Sequence, residues 1–333
     1  MITIEEFALI FGELSIFENL TDGWMNLTYK FQWKSDEKNY ILREYCSTTV
    51  FDEIQFELNF ISYLFKQYHL PVVPMIDPPG IFVLNNEHYG VIFPFIEGIK
   101  YVNTPSNAQR ELWQTIEISR FLGRLHSIDK QKPIDRRMIN IVDVKYQLVN
   151  SCQAFANDCP NLYQRIRRII DEHTEIIPLI EDELEQIQFE KTLEENLPKG
   201  LIHLDVHDDN ILFHPNEKQI VAVLDFDDMS YGPFLLDIAM TLSFWCSIGP
   251  QFQIDYAKEF LHEYQIARQS PLTDDEWNLL KLYCYMTMFH QILFTIQCRD
   301  QREVTDEMID EMLLPIEQIS QDKKLFNTFR IYT

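Results

Sequence analysis

Glycine and positively charged residues are both scarce in this chain of 333 residues. The sequence holds 9 glycines, and its 28 lysines and arginines stand against 52 aspartates and glutamates, for a formal net charge of −24. A surface of this charge repels the phosphates of nucleic acids and the anionic face of a membrane, so we expect neither among the partners. A small phosphate-bearing ligand is not excluded, because a bound metal ion reverses the field locally.

Other features of known sites and targeting segments are missing as well. No two of the six cysteines have the C-x-x-C spacing that is typical of a zinc site. No run of 18 apolar residues occurs, which predicts that no helix spans a bilayer. The first residues lack the basic start and apolar core of a secretory signal. Together these absences predict a soluble cytoplasmic protein.

The first 96 residues carry mostly strand patterns. The alternating stretch Leu27–Trp33 and the stretch Tyr40–Tyr45 flank a polar turn and predict a β-hairpin. Two more strands are predicted over 81–84 and 89–93. Apolar residues at helical spacing predict a helix over 52–67 with one buried face, formed by Ile54, Leu58, Ile61 and Phe65. A small antiparallel sheet with one helix is therefore expected here.

Beyond a hinge marked by a proline and a glycine, the patterns are mainly helical, and residues 140–197 form a predicted helical insertion. Three later helices are predicted, over residues 234–247, 251–266 and 274–298. We therefore predict an α+β fold with two lobes, a small lobe of residues 1–96 and a larger, mainly helical lobe of residues 97–333.

Acidic and amide side chains cluster in one stretch, LIHLDVHDDNILFH at residues 201–214. Asp205 and Asn210 have the spacing of the kinase loop H-x-D-x-x-x-x-N, and Asp225 lies fifteen residues after Asn210. Residues 215–218 separate two apolar runs and predict a hairpin, which returns Asp225 to the vicinity of the other two. Phosphoryl transfer needs a carboxylate beside the attacking hydroxyl and oxygen ligands for Mg²⁺. We therefore predict that Asp205 accepts or orients the hydroxyl proton and that Asn210 and Asp225 hold Mg²⁺.

Two motifs carry a resemblance to a known family, Ile202–Asn210 and Leu224–Ala239. In this order they are similar to motifs of the aminoglycoside phosphotransferase and choline kinase superfamily. Within it, they resemble most the branch of stress response kinase A, type II homoserine kinases and hydroxylysine kinases. The resemblance covers most of residues 20–300 and implies a bilobal protein-kinase-like fold. At one position the chain departs from the family, which usually has glycine in place of Leu204.

The resemblance also implies nucleotide-binding residues in the first lobe. By position, Arg43 corresponds to the cation on the third strand of the kinase fold, and Glu57 corresponds to the carboxylate on the following helix. The family more often has lysine in place of Arg43. Glu57 lies on the buried face of its helix, where an unpaired charge is costly, and this favours Arg43 as its partner. The other residues implied to bind the nucleotide are the loop residues Gly23 and Asn26 and, in the hinge, the Pro94 carbonyl and the Ile96 amide.

In the second lobe the resemblance implies two supporting residues, His203, which braces the catalytic loop, and Asp237, a buried acceptor for that loop. His207 and Asp208 stay open between contact with substrate or metal and a solvated loop position. Asp227 and Asp228 add negative charge near the metal, and whether either of them binds it directly stays open.

The motifs and the resemblance together imply an enzyme, a kinase that uses ATP and Mg²⁺. It would move the γ-phosphoryl group to a hydroxyl of a small metabolite, of the amino alcohol or hydroxy amino acid type. Within the same chemistry, the alternatives are a serine/threonine protein kinase resembling stress response kinase A and an aminoglycoside phosphotransferase. From other classes, the alternatives are a catalytically silent nucleotide-binding protein and a metal-dependent hydrolase.

Overall fold

The computed structural model describes residues 7–8, 11–20, 26–84, 88–101, 103–104, 107–108, 110–128, 164–165, 168, 194–249, 251–297, 305–321 and 325–332. The chain divides into two compact units. The first comprises residues 1–99 and 211–227, and the second comprises residues 100–210 and 228–333. The segment 211–227 therefore groups with the first unit, and a lobe boundary after residue 96 stays a prediction.

The predicted α+β class is confirmed by the secondary structure of the described residues. In chain order the elements are β1 (Leu14–Leu20), β2 (Leu27–Trp33), β3 (Asn39–Glu44), α1 (Phe51–Tyr68), β4 (Ile81–Val83), β5 (Tyr89–Pro94), β6 (Asn103–Thr104), β7 (Asn107–Ala108), α2 (Leu112–His126), β8 (Lys199–Ile202), β9 (Ile211–Phe213), β10 (Ile220–Val223), β11 (Ser230–Pro233), α3 (Phe234–Trp245), β12 (Ser247–Ile248), β13 (Gln251–Phe252), α4 (Ile254–Arg268), α5 (Asp274–Gln297), α6 (Asp306–Gln321) and α7 (Leu325–Tyr332).

The first unit is built on a five-stranded antiparallel sheet with the strand order β1-β2-β3-β5-β4. The predicted hairpin is confirmed, because β2 pairs with β3 and Phe31 lies opposite Tyr40. Side chains alternate along a strand, so Phe31 and Leu42 enter a buried cluster on one face of the sheet. The neighbouring Arg43 points to the other face, beside Val91 on β5.

Helix α1 packs on that second face and confirms the helix predicted over 52–67. Ile54, Leu58 and Ile61 are buried as predicted. Phe65 is 46% exposed, so the predicted buried face is wrong at that position. The buried stripe ends on Leu64 instead, and because successive residues lie about 100° apart around a helix, this turns Phe65 toward solvent.

Strands β9 and β10 form the hairpin that the sequence predicted, with Ile211 opposite Val223. Val223 also bridges to Val72, which anchors the hairpin within the first unit. Because Ile211 and Val223 are paired, the chain enters at residue 210 and leaves at residue 224 from the same end of the hairpin.

The second unit contains helices α2 to α7. The three helices predicted in its C-terminal part are present as α3, α4 and α5, although α4 begins three residues later than predicted because residues 251–252 form β13. Helices α2 and α4 approach closely at Gly123, where an added Cβ would lie 2.6 Å from the carbonyl oxygen of Tyr264. The predicted insertion of residues 140–197 lies largely outside the described residues. Among the described helices, none combines the length and apolar character needed to cross a membrane.

Candidate active site

The loop after β8, in the second unit, brings Asp205 and Asn210 into direct contact. The Asn210 side-chain nitrogen donates to the Asp205 carboxylate at 2.6 Å and to the Asp205 backbone carbonyl at 3.0 Å. The contact arises because a 3₁₀ turn, Asp208–Asn210, folds the segment back on itself. Since the amide nitrogen faces Asp205, the amide oxygen of Asn210 points the other way, where it can serve as a ligand for a hard cation.

A buried carboxylate on the first turn of α3 holds the backbone of this loop. Asp237 accepts the N–H of His203 at 2.7 Å and the N–H of Leu204 at 2.8 Å. It also contacts Nε2 of His126 at 3.0 Å, and Nδ1 of the same ring contacts the Tyr264 hydroxyl at 2.9 Å. Burial lowers the pKa of His126. Burial acts to raise the pKa of Asp237, but the hydrogen bond with His126 and the loop amides lower it below the ordinary value.

Leu204 stands in the left-handed region of backbone conformation, with φ of +67°. This conformation costs a non-glycine residue about 1–2 kcal/mol, which is a physical reason for glycine at this position in the resembled family. Neighbouring hydrogen bonds stabilise this strained conformation. Asp237 accepts the N–H groups of His203 and Leu204, and His203 Nδ1 accepts the N–H of Asp205 at 3.2 Å. The loop therefore keeps its shape despite the leucine side chain.

A second clamp on this loop comes from Arg110, a residue that the sequence reasoning missed. Its guanidinium lies 4.1 Å from the Trp245 ring centroid, donates to the Phe244 carbonyl, and comes within 3.7 Å of the Asp208 carboxylate. Trp245 in turn donates its ring N–H to the Val206 carbonyl at 2.8 Å. Burial lowers the pKa of Arg110 to about 10. The end of α3 and Arg110 thus fix residues 206–208.

His207 lies between two of the loop carboxylates. Its Nε2 is 3.4 Å from Asp205 Oδ2, and its Nδ1 is 3.7 Å from Asp208 Oδ1. The ring also packs against Phe244, with the ring centroids 5.4 Å apart. Burial opposes the charged ring, but the two carboxylates raise the pKa of His207 to about 10. His207 therefore adds positive charge beside Asp205.

In the first unit, a separate group of predicted residues surrounds Arg43. Its Nη2 donates to Asp225 Oδ1 at 2.8 Å and to Asp227 Oδ2 at 2.6 Å. Its Nη1 lies 3.8 Å from Glu57 Oε1, within ion-pair distance but farther than the other two carboxylates. Burial opposes the charge on Arg43, yet Asp227 and Asp225 raise its pKa well above the ordinary value.

The group around Arg43 carries more negative than positive charge. Two buried carboxylate oxygens in the described structure, Glu57 Oε1 and Asp227 Oδ1, have no hydrogen-bond partner. Burial and the neighbouring Asp227 raise the pKa of Glu57 well above its ordinary value. Asn26 supplies a neutral donor, because its side-chain nitrogen donates to Asp227 while its oxygen accepts the Cys46 N–H at 3.0 Å. An excess of carboxylates suits a site that receives a cation.

Asp225 is the most exposed carboxylate of this group, with 39% of its side chain exposed. Its backbone has φ of +61°, a strained conformation for a residue other than glycine. Of the other residues predicted to bind the nucleotide, Pro94 ends β5 opposite Tyr40, and Ile96 follows in a segment without regular structure. Gly23 lies outside the described residues.

No pattern in the sequence could have identified Arg110, because it lies far along the chain from Asp208 and belongs to no motif. The sequence marks Asp227 as a candidate for metal binding, but its contact with Arg43 depends on the register of β3 and on the path of the segment after β10. The loop pair Asp205 and Asn210, by contrast, follows from spacing alone.

A family model described as the phosphotransferase enzyme family matches residues 16–274. Two similar proteins are named homoserine kinase. The chain is 26% identical over 275 residues to that of Parvibaculum lavamentivorans, a match that covers 81% of this chain and 77% of the relative. It is 36% identical over 88 residues to that of Caulobacter vibrioides, which is 26% of this chain and only 27% of the relative's length.

Among solved structures, a spectinomycin phosphotransferase in complex with ADP and spectinomycin matches with a TM-score of 0.63 at 14% identity, covering 97% of this chain and 99% of that one. At this identity the likeness concerns the fold, and it confirms the protein-kinase-like fold that the motifs implied. The match to the family model confirms the resemblance itself.

Proposed function

Because the chain belongs to the phosphotransferase enzyme family, we propose that it transfers the γ-phosphoryl group of ATP to the hydroxyl of a small metabolite. The observation that carries the proposal is the 2.6 Å contact between Asn210 and the Asp205 carboxylate, which is followed along the chain by a hairpin that leads to Asp225. This is the residue set that phosphoryl transfer requires, in the order of the kinase template. The proposed use of ATP favours a cytoplasmic location.

The residues of the proposed metal site suit Mg²⁺ chemically. Asn210 offers an amide oxygen, and Asp225 offers a partly exposed carboxylate, both of them oxygen ligands of the kind that Mg²⁺ prefers. Asn210 and Asp225 follow one another in the order of the two metal ligands of the kinase template, which supports a shared role for them. When bound there, Mg²⁺ would neutralise charge on the ATP phosphates.

Asp205 is the proposed base in this reaction. Its carboxylate would accept or orient the proton of the attacking hydroxyl, while the Asn210 amide and the brace from Asp237 keep the loop in place. Arg43 would contact the phosphates, with Glu57 as its ion-pair partner. The proposal also assigns nucleotide contacts to four residues, Gly23, Asn26, Pro94 and Ile96.

A hydroxy amino acid or an amino alcohol is the proposed acceptor. The support is that both reported relatives are named homoserine kinase, and one of them aligns with 81% of this chain. The shorter match covers only 27% of its relative, so the name of that relative does not by itself identify the acceptor of this chain.

A coupled assay of ADP release with Mg²⁺ tests the proposal over a panel of acceptors, with homoserine, amino alcohols, sugars, aminoglycosides and a generic protein substrate. We expect release that depends on a small hydroxylated amino compound. Release that no acceptor accelerates would point to a hydrolase, and ADP binding without turnover on any acceptor would point to a silent nucleotide-binding protein. Turnover of the protein substrate alone would support a protein kinase.

Two variants with matched controls test the assignment of residues. Asp205→Asn is expected to lower turnover at least about 100-fold without lowering the melting temperature, because it removes the base and keeps the side-chain shape. Asp209→Asn makes the same chemical change on an exposed neighbour and should leave turnover near that of the parent. Asp225→Ala should instead weaken Mg²⁺-dependent ADP binding. Parent-level turnover by Asp205→Asn would show that this residue is not the base.

A further inference from the structure

Arg43 and Asp227 both differ from the residues that the protein-kinase template has in these places. In that template a lysine on the third strand meets the phosphates and the helix glutamate, and glycine follows the Asp-Phe of the metal-binding triplet. Here the strand carries Arg43, and Asp227 follows Asp225 and Phe226. The two departures are in contact, because Arg43 Nη2 lies 2.6 Å from Asp227 Oδ2.

Asp227 is held in place independently of Arg43. The same Oδ2 accepts a hydrogen bond from Asn26, whose own oxygen accepts the Cys46 N–H at 3.0 Å, so the carboxylate is tied to the start of β2 and the end of β3. The guanidinium is restrained a second time, since it lies 5.1 Å from the ring centroid of Tyr45. An arginine side chain ends in a rigid planar fork, so fixing Nη2 and one face also fixes the directions of its other N–H groups.

Asp227 also limits how Arg43 contacts the proposed metal ligand. Arg43 Nη2 is shared between Asp227 and Asp225, at 2.6 Å and 2.8 Å. Because Nη2 is shared in this way, Asp225 is not the sole carboxylate that contacts the guanidinium. A lysine in place of Arg43 would offer a single compact charge that cannot hold the same set of partners.

We infer that Asp227 is a positioning residue for Arg43. It holds the guanidinium so that its remaining N–H groups serve the nucleotide phosphates, and the pair of Arg43 and Asp227 takes the place of the lysine and glycine of the template. The inference rests on the proposed function, because it requires a nucleotide at this site.

A double-mutant cycle on ADP affinity tests the pairing, with Arg43→Lys, Asp227→Gly and the double variant measured by titration calorimetry. The titrations are run with Mg²⁺ and again with EDTA, so that contacts made by Arg43 are separated from effects of a metal. Asp227→Asn serves as a second variant, because it keeps the side-chain volume if glycine loosens the chain. Asp255→Asn, on a side chain that is 89% exposed in the second unit, controls for the change in net charge.

We expect each single variant to weaken ADP binding about tenfold in both buffers. The double variant should bind ADP about as well as either single variant, because the second change removes a contact already lost. Asp227→Asn should weaken binding less than Asp227→Gly, and Asp255→Asn should leave it unchanged. Losses that simply multiply in the double variant, or a loss for Asp227→Gly that disappears in EDTA, would overturn the inference. A parent chain that binds no ADP in either buffer would instead refute the proposed function.

Discussion

Replacing Asp237 is expected to destabilise the second unit more than replacing another buried polar residue of α3. The side chain has no exposed surface, and its two oxygens accept the N–H groups of His203 and Leu204 and contact His126 Nε2. Alanine in its place would leave these three buried donors without an acceptor. Asparagine would retain one oxygen, but its NH₂ group would face a donor N–H on the other side.

The size of the effect follows from the number of donors left unpaired. Each buried donor without an acceptor costs about 1–3 kcal/mol, so the loss of three acceptor contacts in Asp237→Ala should lower the free energy of unfolding by about 3–9 kcal/mol. Asp237→Asn leaves at least one of the donors unpaired and should cost about 1–3 kcal/mol. The strained conformation of Leu204 adds to the effect in both variants, because the bond that holds it is lost.

Urea denaturation and thermal unfolding of the whole chain measure this prediction. Thr241→Val on the same helix is the matched control, since Thr241 is also buried and its hydroxyl donates only to the Asp237 carbonyl one turn earlier. This control should cost about 1 kcal/mol. If Asp237→Ala were no more destabilising than Thr241→Val, the carboxylate would not be bracing the loop and the reasoning would be wrong.

Three further predictions concern residues that form this loop or support it. Arg110→Met should reduce turnover with little change in ADP affinity, because Asp208 and the loop lose their contact with the guanidinium that packs on Trp245. Arg110→Lys should recover part of the loss. Equal losses of turnover in the two variants would contradict this role of Arg110. Leu204→Gly should preserve turnover and change the free energy of unfolding by no more than about 1 kcal/mol, because relief of backbone strain offsets the larger conformational entropy that glycine loses on folding. A large loss of stability would show that φ at this position is not strained. Burial lowers the pKa of His126, so below its unfolded pKa near 6.5 the unfolded chain binds a proton that the folded chain does not. The free energy of unfolding should therefore fall as pH falls, by up to about 1.4 kcal/mol per pH unit. In urea titrations between pH 7 and pH 5, His126→Asn should flatten this slope.

Local patterns were reliable where a local interaction decides the structure. The hairpin of β2 and β3 follows from alternation, because one face of its strands enters a buried apolar cluster. The helix α1 follows from helical spacing, because one of its faces packs on the sheet. Phe65 is the exception, since the buried stripe of the helix ends on Leu64 and turns Phe65 toward solvent.

The loop that contains Asp205 and Asn210 shows the same division between local and long-range interactions. The spacing of Asp205 and Asn210 is enough to place them in contact, because only four residues, which include most of one 3₁₀ turn, separate them. That Leu204 would adopt a left-handed conformation is not visible in its own residue type, since leucine disfavours it and hydrogen bonds from the Leu204 N–H and its neighbours to other side chains hold it there.

Spacing by itself therefore determined the fold class, the main strands and helices and the acidic motif that identifies the chemistry. Only the tertiary structure decided the partners of the long, charged side chains. Arg43 meets Asp227 across more than 180 residues of sequence, and Arg110 meets Asp208 across almost 100. Such contacts depend on strand register and helix packing, which bring together segments that no short-range pattern connects.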